Sequence, residues 1–338
     1  MANVIRAAGS QDLQALYEMA KSTGGGFTNL PPDQEKLREK LAVASASFAR
    51  EGDEIGDDKF MFLLEDTETG KARGTCQIFS RIGSDWPFYT YRIDKFAQYS
   101  KALERTISSE LLTLCTDHSG ATEVGGLFLN DSERSTGHGA LLARSRYLFM
   151  HMHRSRFANR TIAELRGVDE GGRSPFWDAV GGRFFDMTFR EADEFNAVHG
   201  NQFIADLMPK TAIYKAMLSE GALQVLGTPH LTGRPAMRML EKEGFLFDKY
   251  VDIFDGGPTM TVATDEIATV RDAKDGVVIG IADLGSNGTE SLIANGHLAA
   301  FRACTGQIAA AEGGVVLDTE VAEALGATIG SQVTHVPR

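Results

Sequence analysis

Residues 123–140 gather side chains at spacings from which chemistry can be built. They read Glu123-Val124-Gly125-Gly126-Leu127-Phe128-Leu129-Asn130-Asp131-Ser132-Glu133-Arg134-Ser135-Thr136-Gly137-His138-Gly139-Ala140. Leu127-Phe128-Leu129 is a short apolar run of the kind that forms a buried strand, and Asn130 to Glu133 make a polar turn. Arg134, Gly137 and Gly139 follow as Arg-x-x-Gly-x-Gly, opening directly into a helical pattern from Ala140 to Phe157. A strand feeding a glycine-rich turn at a helix start is an anion cradle. Unpaired backbone N–H groups and the positive end of the helix dipole converge on one spot. Glycine lets a bulky diphosphate approach the backbone, where a Cβ would block it. A dinucleotide fingerprint would need three glycines and a later acid, and a Walker loop would need Gly-Lys-Ser/Thr; neither is here. A glycine pair before a helix is also common turn chemistry, so the flanking strand and helix carry the reading.

The elements that must position this turn alternate in type. Val4 to Ala7 is a short strand. Ser10 and Asp12 offer caps for a helix over Leu13 to Ala20, which Gly24-Gly25-Gly26 breaks. Pro31-Pro32-Asp33 starts a second helix, Gln34 to about Arg50. Strands are expected at Phe60 to Leu64, Gly74 to Phe79, Thr122 to Leu129 and Thr161 to Leu165. Ser174-Pro175 starts a helix over Phe176 to Val180, with Gly181-Gly182 expected to stop it. Ala236 to Phe245 repeats this helix–glycine–aromatic arrangement. The repeat fits a tandem domain and, equally, ordinary C-capping. From Ala263 onward short β runs alternate with glycines around a brief helix, Val321 to Leu325, and a last strand, Gln332 to Val336. The fold class expected is α/β, with a mixed sheet in the α+β sense. The division expected is 1–190, a second partial domain 191–262, and a small β-rich C-terminal appendage 263–338.

Composition narrows the function. A chain of 338 residues, 43% apolar and 24% charged, can bury a large core. A formal charge of −12 argues against general nucleic-acid binding. No apolar run reaches membrane-spanning length and the N-terminus lacks a signal-peptide pattern. Cys76, Cys115 and Cys304 are far apart and read as reduced thiols. A cytoplasmic enzyme is expected. His151 and His153 stand two apart on a helix, on different faces, so no metal site is expected.

The Arg-x-x-Gly-x-Gly turn resembles the one with which GNAT-superfamily acyl-CoA N-acyltransferases hold the pyrophosphate of coenzyme A. Further segments make the resemblance specific: Ser22 to Pro31, Phe88-Tyr89-Thr90-Tyr91-Arg92, Ile162 to Val168, Gly172 to Trp177, Phe203 to Lys210 and Tyr250 to Thr259. They occur in family order over roughly residues 4–262, and the chain resembles the arginine N-succinyltransferase family. That resemblance implies a GNAT-like fold, succinyl-CoA as co-substrate, no permanently bound cofactor, and the α-amine of L-arginine as acceptor. It implies a proton-donor role for His230, in the turn Gly227-Thr228-Pro229-His230-Leu231-Thr232, and a succinyl-CoA contact at Leu127. The flanks of His230 depart from the family's Val-His-Pro-like turn. Thr116 and Thr90 stand where the family usually has Asn, and Gly125 where it often has Cys; these departures bear on acceptor choice more than on reaction class.

Transfer of succinyl from a thioester to an amine requires the amine to lose a proton, donors for the oxyanion, and a proton for the leaving thiolate. Backbone around Leu127, Phe128 and Leu129 would supply donors where the strand is locally unpaired. Arg134, Gly137, His138, Gly139 and Ala140 would hold the coenzyme's phosphates, with His138 facing them or solvent. His230 is of the residue type suited to proton transfer near neutral pH; a turn histidine after proline can also be purely structural. Arginine carries a cation and a carboxylate, so its pocket should hold acids and a cation; Tyr89, Arg92, Asp117, Glu164 and Arg166 are the candidates. Arg166 could equally pair with the succinyl carboxylate. Two rival readings are the same fold acting on ornithine or another amine, and a catalytically silent acyl-CoA-binding subunit of a heteromer. Homo- or hetero-oligomeric assembly is left open.

Overall fold

The computed structural model describes residues 3–23, 29–130, 133, 137–199 and 202–338. In chain order its strands are β1 Asn3–Ala7, β2 Lys59–Asp66, β3 Ala72–Phe79, β4 Thr90–Ser100, β5 Arg105–Cys115, β6 Thr122–Leu129, β7 Arg160–Glu164, β8 Ile213–Tyr214, β9 Leu246–Asp252, β10 Pro258–Ala263, β11 Lys274–Ala282, β12 Thr289–Asn295, β13 Arg302–Ala311, β14 Gly314–Asp318 and β15 Gln332–Pro337. The helices are α1 Leu13–Ser22, α2 Gln34–Ala49, α3 His138–Met152, α4 Pro175–Ala179, α5 Gly182–Phe185, α6 Phe189–His199, α7 Gln202–Leu207, α8 Glu220–Val225, α9 Arg234–Lys242, α10 Ala268–Asp272 and α11 Thr319–Leu325. Among the described residues no helix is long and apolar enough to cross a membrane. The architecture is α/β with a mixed sheet.

The chain forms two compact units. The first holds Met1–Arg81, Thr122–Asn159 and Ala263–Arg338; the second holds Ile82–Ala121 and Arg160–Val262.

In the first unit the sheet runs β13-β1-β2-β3-β6, antiparallel at each pairing. Alternation on β2 and β3 and the apolar stripes of α1 and α2 give one core: Leu16, Met19, Leu37, Leu41, Met61, Leu63 and Phe128. Asp33 caps α2 by accepting the Glu35 and Lys36 N–H groups, as the Pro-Pro-Asp run suggests. On the other side of the sheet Phe60, Phe62, Phe149, Phe157 and Phe301 pack edge to face. The C-terminal β-rich stretch closes on itself in the order β12-β15-β11-β14-β13, with β13 pairing back to β12. The result is a five-stranded barrel whose Val278, Ile293, Ile308 and Leu317 pack under α11. β1 pairs with β13, so the barrel continues the N-terminal sheet.

In the second unit the strands run β7-β10-β9-β4-β5-β8. Tyr91, Ile93, Leu112, Val251 and Ile253 face a core completed by Phe176, Trp177 and Phe189 from α4 and α6. The long β4/β5 hairpin was not among the expected strands. Its outer half lacks one-sided alternation, because both faces meet water.

Two expected helix ends differ. The helix after the glycine turn spans His138–Met152, and a separate 3-10 turn, Arg154–Arg156, follows it. Gly181 and Gly182 do not end α4 by a left-handed cap: Gly181 is right-handed helical and Gly182 opens α5. Gly181 instead gives room to Trp177, whose ring would meet a Cβ at 2.5 Å. The second helix–glycine–aromatic copy is a true cap. Gly244 has φ +96°, its N–H bonds the Glu241 carbonyl, and the Phe245 N–H bonds that of Leu240. The two copies therefore share sequence spacing and differ in local geometry.

Candidate active site

The donor-side residues lie in the first unit. β6 pairs with β3 at Gly74↔Leu129, Thr75↔Phe128 and Gln77↔Gly125, so between the last two pairs β6 spends one residue more than β3. That is a β-bulge, and it falls at Gly126-Leu127. Gly126 has φ +59°, and a Cβ there would meet the Gln77 side chain at 2.8 Å, so glycine is required on both counts. A bulge takes backbone groups out of the ladder beside Leu127. Phe128 points into the core while Leu127 and Leu129 lie on the partly exposed face.

Beyond β6, α3 begins at His138 with Gly137 as N-cap, in the left-handed region at φ +89°, and among the described residues no side chain caps it. Among the described residues a Cβ on Gly139 would meet only Leu129, at 4.0 Å. A helix of 15 residues with a glycine-lined N-terminus fits a phosphate group. Ala140 is exposed on the same turn. His138 Nδ1 lies 3.0 Å from Glu133 Oε2, and Glu133 is also held by Arg73. Arg134 lies outside the described residues. One cation absent from the sequence reading stands here: an Arg338 guanidinium nitrogen lies 2.8 Å from the Cβ position of Gly137. Nothing in the local sequence around Arg338 announces it.

The acceptor-side and proton-transfer candidates lie in the second unit. His230 is held by both its backbone and its ring. Its backbone N–H donates to the Arg166 carbonyl at 2.8 Å, and a bridge pairs Gly167 with Pro229. Nδ1 receives the Thr232 backbone N–H at 3.3 Å and lies 2.8 Å from Thr232 Oγ1. A backbone N–H only donates, so Nδ1 is the acceptor and the neutral ring carries its proton on Nε2. Nε2 stands 4.0 Å from Asp169 Oδ1, which also pairs with Arg166 at 3.0 Å. The ring is about one-quarter exposed. This is an imidazole with an outward proton to give and a carboxylate to stabilise the cation that results from taking one.

The turn bearing Arg166 and Gly167 is held from behind. Asp255 accepts the Gly167 N–H at 2.7 Å and the Gly257 N–H at 2.8 Å, while Asp252 accepts the Phe254 and Asp255 N–H groups. A Cβ on Gly257 would fall 2.2 Å from the Leu165 carbonyl oxygen, which explains glycine at this crossing. Burial, and then the neighbouring Asp252, push the Asp255 carboxyl above its ordinary range. The Tyr250 to Thr259 segment is therefore a buttress for the His230 turn.

Arg92, Asp117 and Tyr250 form a second cluster. Arg92 donates to Asp94 at 2.8 Å and to Asp117 at 2.7 Å, and the Tyr250 hydroxyl donates to Asp117 at 2.9 Å. The Tyr250 hydrogen bond, with Arg92 behind it, holds the Asp117 carboxyl below its usual range. His118 packs on Tyr250 with ring centroids 4.3 Å apart, 1% exposed, and burial lowers its pKa. Tyr89 packs against the unit's core with Lys210 over its ring, and Glu164 ends β7. The structure thus brings Arg92 to Asp117, and Arg166 to His230. Asp169, Asp255 and the Gly126 bulge were missed in the sequence. The Gly125-Gly126 pair inside a strand was a signal for the bulge; Asp169 carried none.

The first unit holds a strand bulged beside the partly exposed Leu127, the second holds an imidazole held at Nδ1, and the chain is an acyltransferase of the α/β class. The family described as arginine N-succinyltransferase beta subunit matches residues 3–269, and its C-terminal domain matches residues 274–337. The arginine N-succinyltransferase subunit beta of Pseudomonas aeruginosa is 38% identical over 99% of this chain and 98% of its own length. The arginine N-succinyltransferase of Citrobacter koseri is 40% identical over 80% of this chain and 79% of its own. A solved structure, arginine/ornithine succinyltransferase subunit AI from Pseudomonas aeruginosa, superposes with a TM-score of 0.90 at 33% identity, covering 99% of this chain and 98% of that one. The chain belongs to the arginine N-succinyltransferase family.

Proposed function

We propose that this chain moves the succinyl group of succinyl-CoA to the α-amine of L-arginine, giving succinylarginine and CoA. The observation that carries the reading is His230. In a chain of this family it is held at Nδ1 by the Thr232 backbone N–H, so that its proton stands on Nε2. The neutral amine adds to the thioester carbonyl, forming the C–N bond. The C–S bond then breaks, and the sulfur leaves as thiolate. His230 gives its Nε2 proton to that sulfur, and the amine's surplus proton restores the imidazole through solvent. Backbone N–H groups freed by the bulge at Gly126-Leu127 are the donors proposed for the oxyanion. Gly137, Gly139 and the start of α3 are proposed for the coenzyme's diphosphate, with the Arg338 guanidinium, itself paired with Glu290, beside them. Arg92, Asp117, Glu164, Tyr89 and Arg166 remain the candidates for the acceptor's charged ends. We assign the reaction to the cytoplasm, where acyl-CoA thioesters are held.

A second acceptor is favoured by one observation: the superposing Pseudomonas structure is named for both arginine and ornithine. Thiol release from succinyl-CoA, measured with arginine, with ornithine, with lysine and with no amine, decides. Fast release with arginine and slow release with lysine is the expected result, because only a guanidinium pairs bidentately with a carboxylate. Preference for ornithine would reassign the acceptor. No release with any amine, while succinyl-CoA still binds, would make the chain a silent acyl-CoA-binding subunit.

A further inference from the structure

Asp252 and Asp255 are two carboxyls in one tight turn between β9 and β10, and the backbone N–H groups around them are shared out unequally. Asp255 uses one oxygen for each of two: Oδ1 accepts the Gly257 N–H at 2.8 Å and Oδ2 the Gly167 N–H at 2.7 Å. Asp252 accepts the Phe254 and Asp255 N–H groups, at 2.7 and 2.8 Å, both on Oδ1. Among the described residues its Oδ2 accepts no backbone N–H, and the two carboxyls stand within hydrogen-bond reach of each other. Asp255 is 8% exposed. The side chains that α4 and α6 bring to the turn are apolar: Phe176 against Gly256, and Trp177 and Phe189 against Phe254. β4 sets Thr90 opposite Asp252, with the Cys115 thiol on Thr90. The charged and titratable groups of the adjoining turns are Arg166, Asp169 and His230, which are engaged with one another. Burial pushes both carboxyls above their ordinary range. Two buried carboxylates this close cannot both stay ionised. A proton on Asp252 Oδ2 makes an O–H that donates to Asp255 and leaves all four N–H groups their acceptors.

We propose that Asp252 and Asp255 hold one proton between them, and that this pair positions His230. The link is short. Asp255 fixes the Gly167 N–H, and the carbonyl of the residue before, Arg166, accepts the His230 N–H at 2.8 Å. The same turn reaches the start of the His230 segment, where the Gly256 carbonyl accepts the Gly227 N–H at 2.8 Å. A Cβ on Gly167 would meet the Asp255 carbonyl oxygen at 2.5 Å, so the two turns touch through their backbones. Loss of the proton at alkaline pH sets two negative charges against each other at this junction. The carboxyls part, and Gly167, Arg166 and the backbone of His230 lose their anchor. Neither aspartate touches the reacting atoms, so both are positioning residues, and their role rests on the reading of His230 as proton donor.

Two amide substitutions in the whole chain test this. Asp252→Asn keeps an oxygen for the Phe254 and Asp255 N–H groups and puts a permanent N–H donor where the shared proton stands. Its ratio of turnover at about pH 9 to turnover at about pH 7 should exceed the wild-type ratio by about threefold or more. Asp255→Asn must turn its NH2 toward Gly167 or Gly257, N–H against N–H. Its turnover should fall by about tenfold at both pH values while succinyl-CoA affinity and binding capacity, read by calorimetry, stay near wild type. A partly unfolded protein would lose binding capacity in the same proportion as turnover. Melting reads the proton directly. The folded pair keeps a proton that the unfolded carboxyls, at their ordinary 3.8, release, so stability falls as pH rises above that value. From about pH 5 to about pH 9 the melting temperature of Asp252→Asn should fall less than that of wild type. His230→Ala, run alongside, tells two failures apart. Near wild-type turnover in that variant means the reading of His230 fails and the positioning role falls with it. A drop in that variant, with Asp255→Asn turning over like wild type, overturns the positioning role alone. Asp252→Asn with the wild-type pH ratio and the wild-type melting slope overturns the shared proton.

Discussion

The glycine turn before α3 and the turn that carries His230 solve similar problems with opposite use of the chain. The first is one contiguous stretch of sequence: β6 with a bulge at Gly126, then Gly137 and Gly139 at the head of α3. The chemistry proposed for it belongs to the backbone, so local residue types suffice to announce it. The second is assembled from segments far apart in sequence. Residues 166–169 supply a carbonyl and a carboxylate, 227–232 supply the imidazole, and 252–257 hold the first segment in place. Its chemistry belongs to side chains whose partners are set only by folding. A backbone site should therefore respond to added bulk and tolerate loss of a side chain, while the assembled site should do the reverse.

The largest effect should come at the assembled site. His230→Ala removes the Nε2 proton donor and should lower turnover by about 10²-fold, the low end for a positioned acid because a thiolate leaves fairly readily. Succinyl-CoA binding should change little. If turnover per folded molecule stays near wild type, His230 is a structural turn residue and the contrast between the two regions loses its catalytic half.

Next comes the backbone site. Gly139→Val puts a branched side chain into space where, among the described residues, nothing lies closer than Leu129 at 4.0 Å. The fold should survive, and replacing a helical glycine should if anything raise the melting temperature. Succinyl-CoA affinity should fall by at least about tenfold, read by calorimetry. Unchanged affinity would take this turn out of the coenzyme site.

Asp169→Asn is a finer probe of the assembled turn. The carboxylate is 4.0 Å from Nε2 and already shared with Arg166, so its loss should reduce turnover only about two- to fivefold. Turnover equal to wild type would mean that Asp169 serves Arg166 alone.

How much could be read beforehand follows the same division. β6 was legible to the residue, Thr122–Leu129, because an apolar run bounded by a polar turn and a glycine pair leaves little choice. The Pro-Pro-Asp start of α2 was equally plain. The β4/β5 hairpin escaped because periodicity reports one-sided burial, and Lys95 to Tyr99 have none. His230 was visible only through a family resemblance, and its partner Asp169 not at all, since nothing local to an aspartate two residues after a glycine says what it will face. The short helix before Gly181 misled for a related reason. A glycine can mark a left-handed cap, as at Gly244, or room for a neighbour, as beside Trp177, and the two look alike in sequence.

The smallest effect on activity, and a test confined to the unit that bears the glycine turn, concerns the far end of α3. His153 is the residue after that helix. It is 5% exposed, packed against Phe149 and edge-on to His297, and its Nε2 receives the Leu298 N–H at 3.4 Å. Burial, then His297 and Arg156, lower its pKa from 6.5 to about 3. The sign follows from proton binding. Between those two values the unfolded chain holds a proton that the folded one refuses, so stability falls as pH drops through 6.5 and goes on falling toward 3. The first unit should melt several degrees lower at pH 4 than at pH 7. His153→Gln keeps an acceptor for Leu298 but cannot titrate. It should lose a little stability at pH 7 through the lost ring contacts, keep its turnover, and show a shallower acid slope. Calorimetric melting of both proteins at the two pH values reads this directly. An acid slope as steep in the variant as in the wild type would mean that the acid sensitivity arises elsewhere, and that the anchoring of α3 does not depend on a neutral His153.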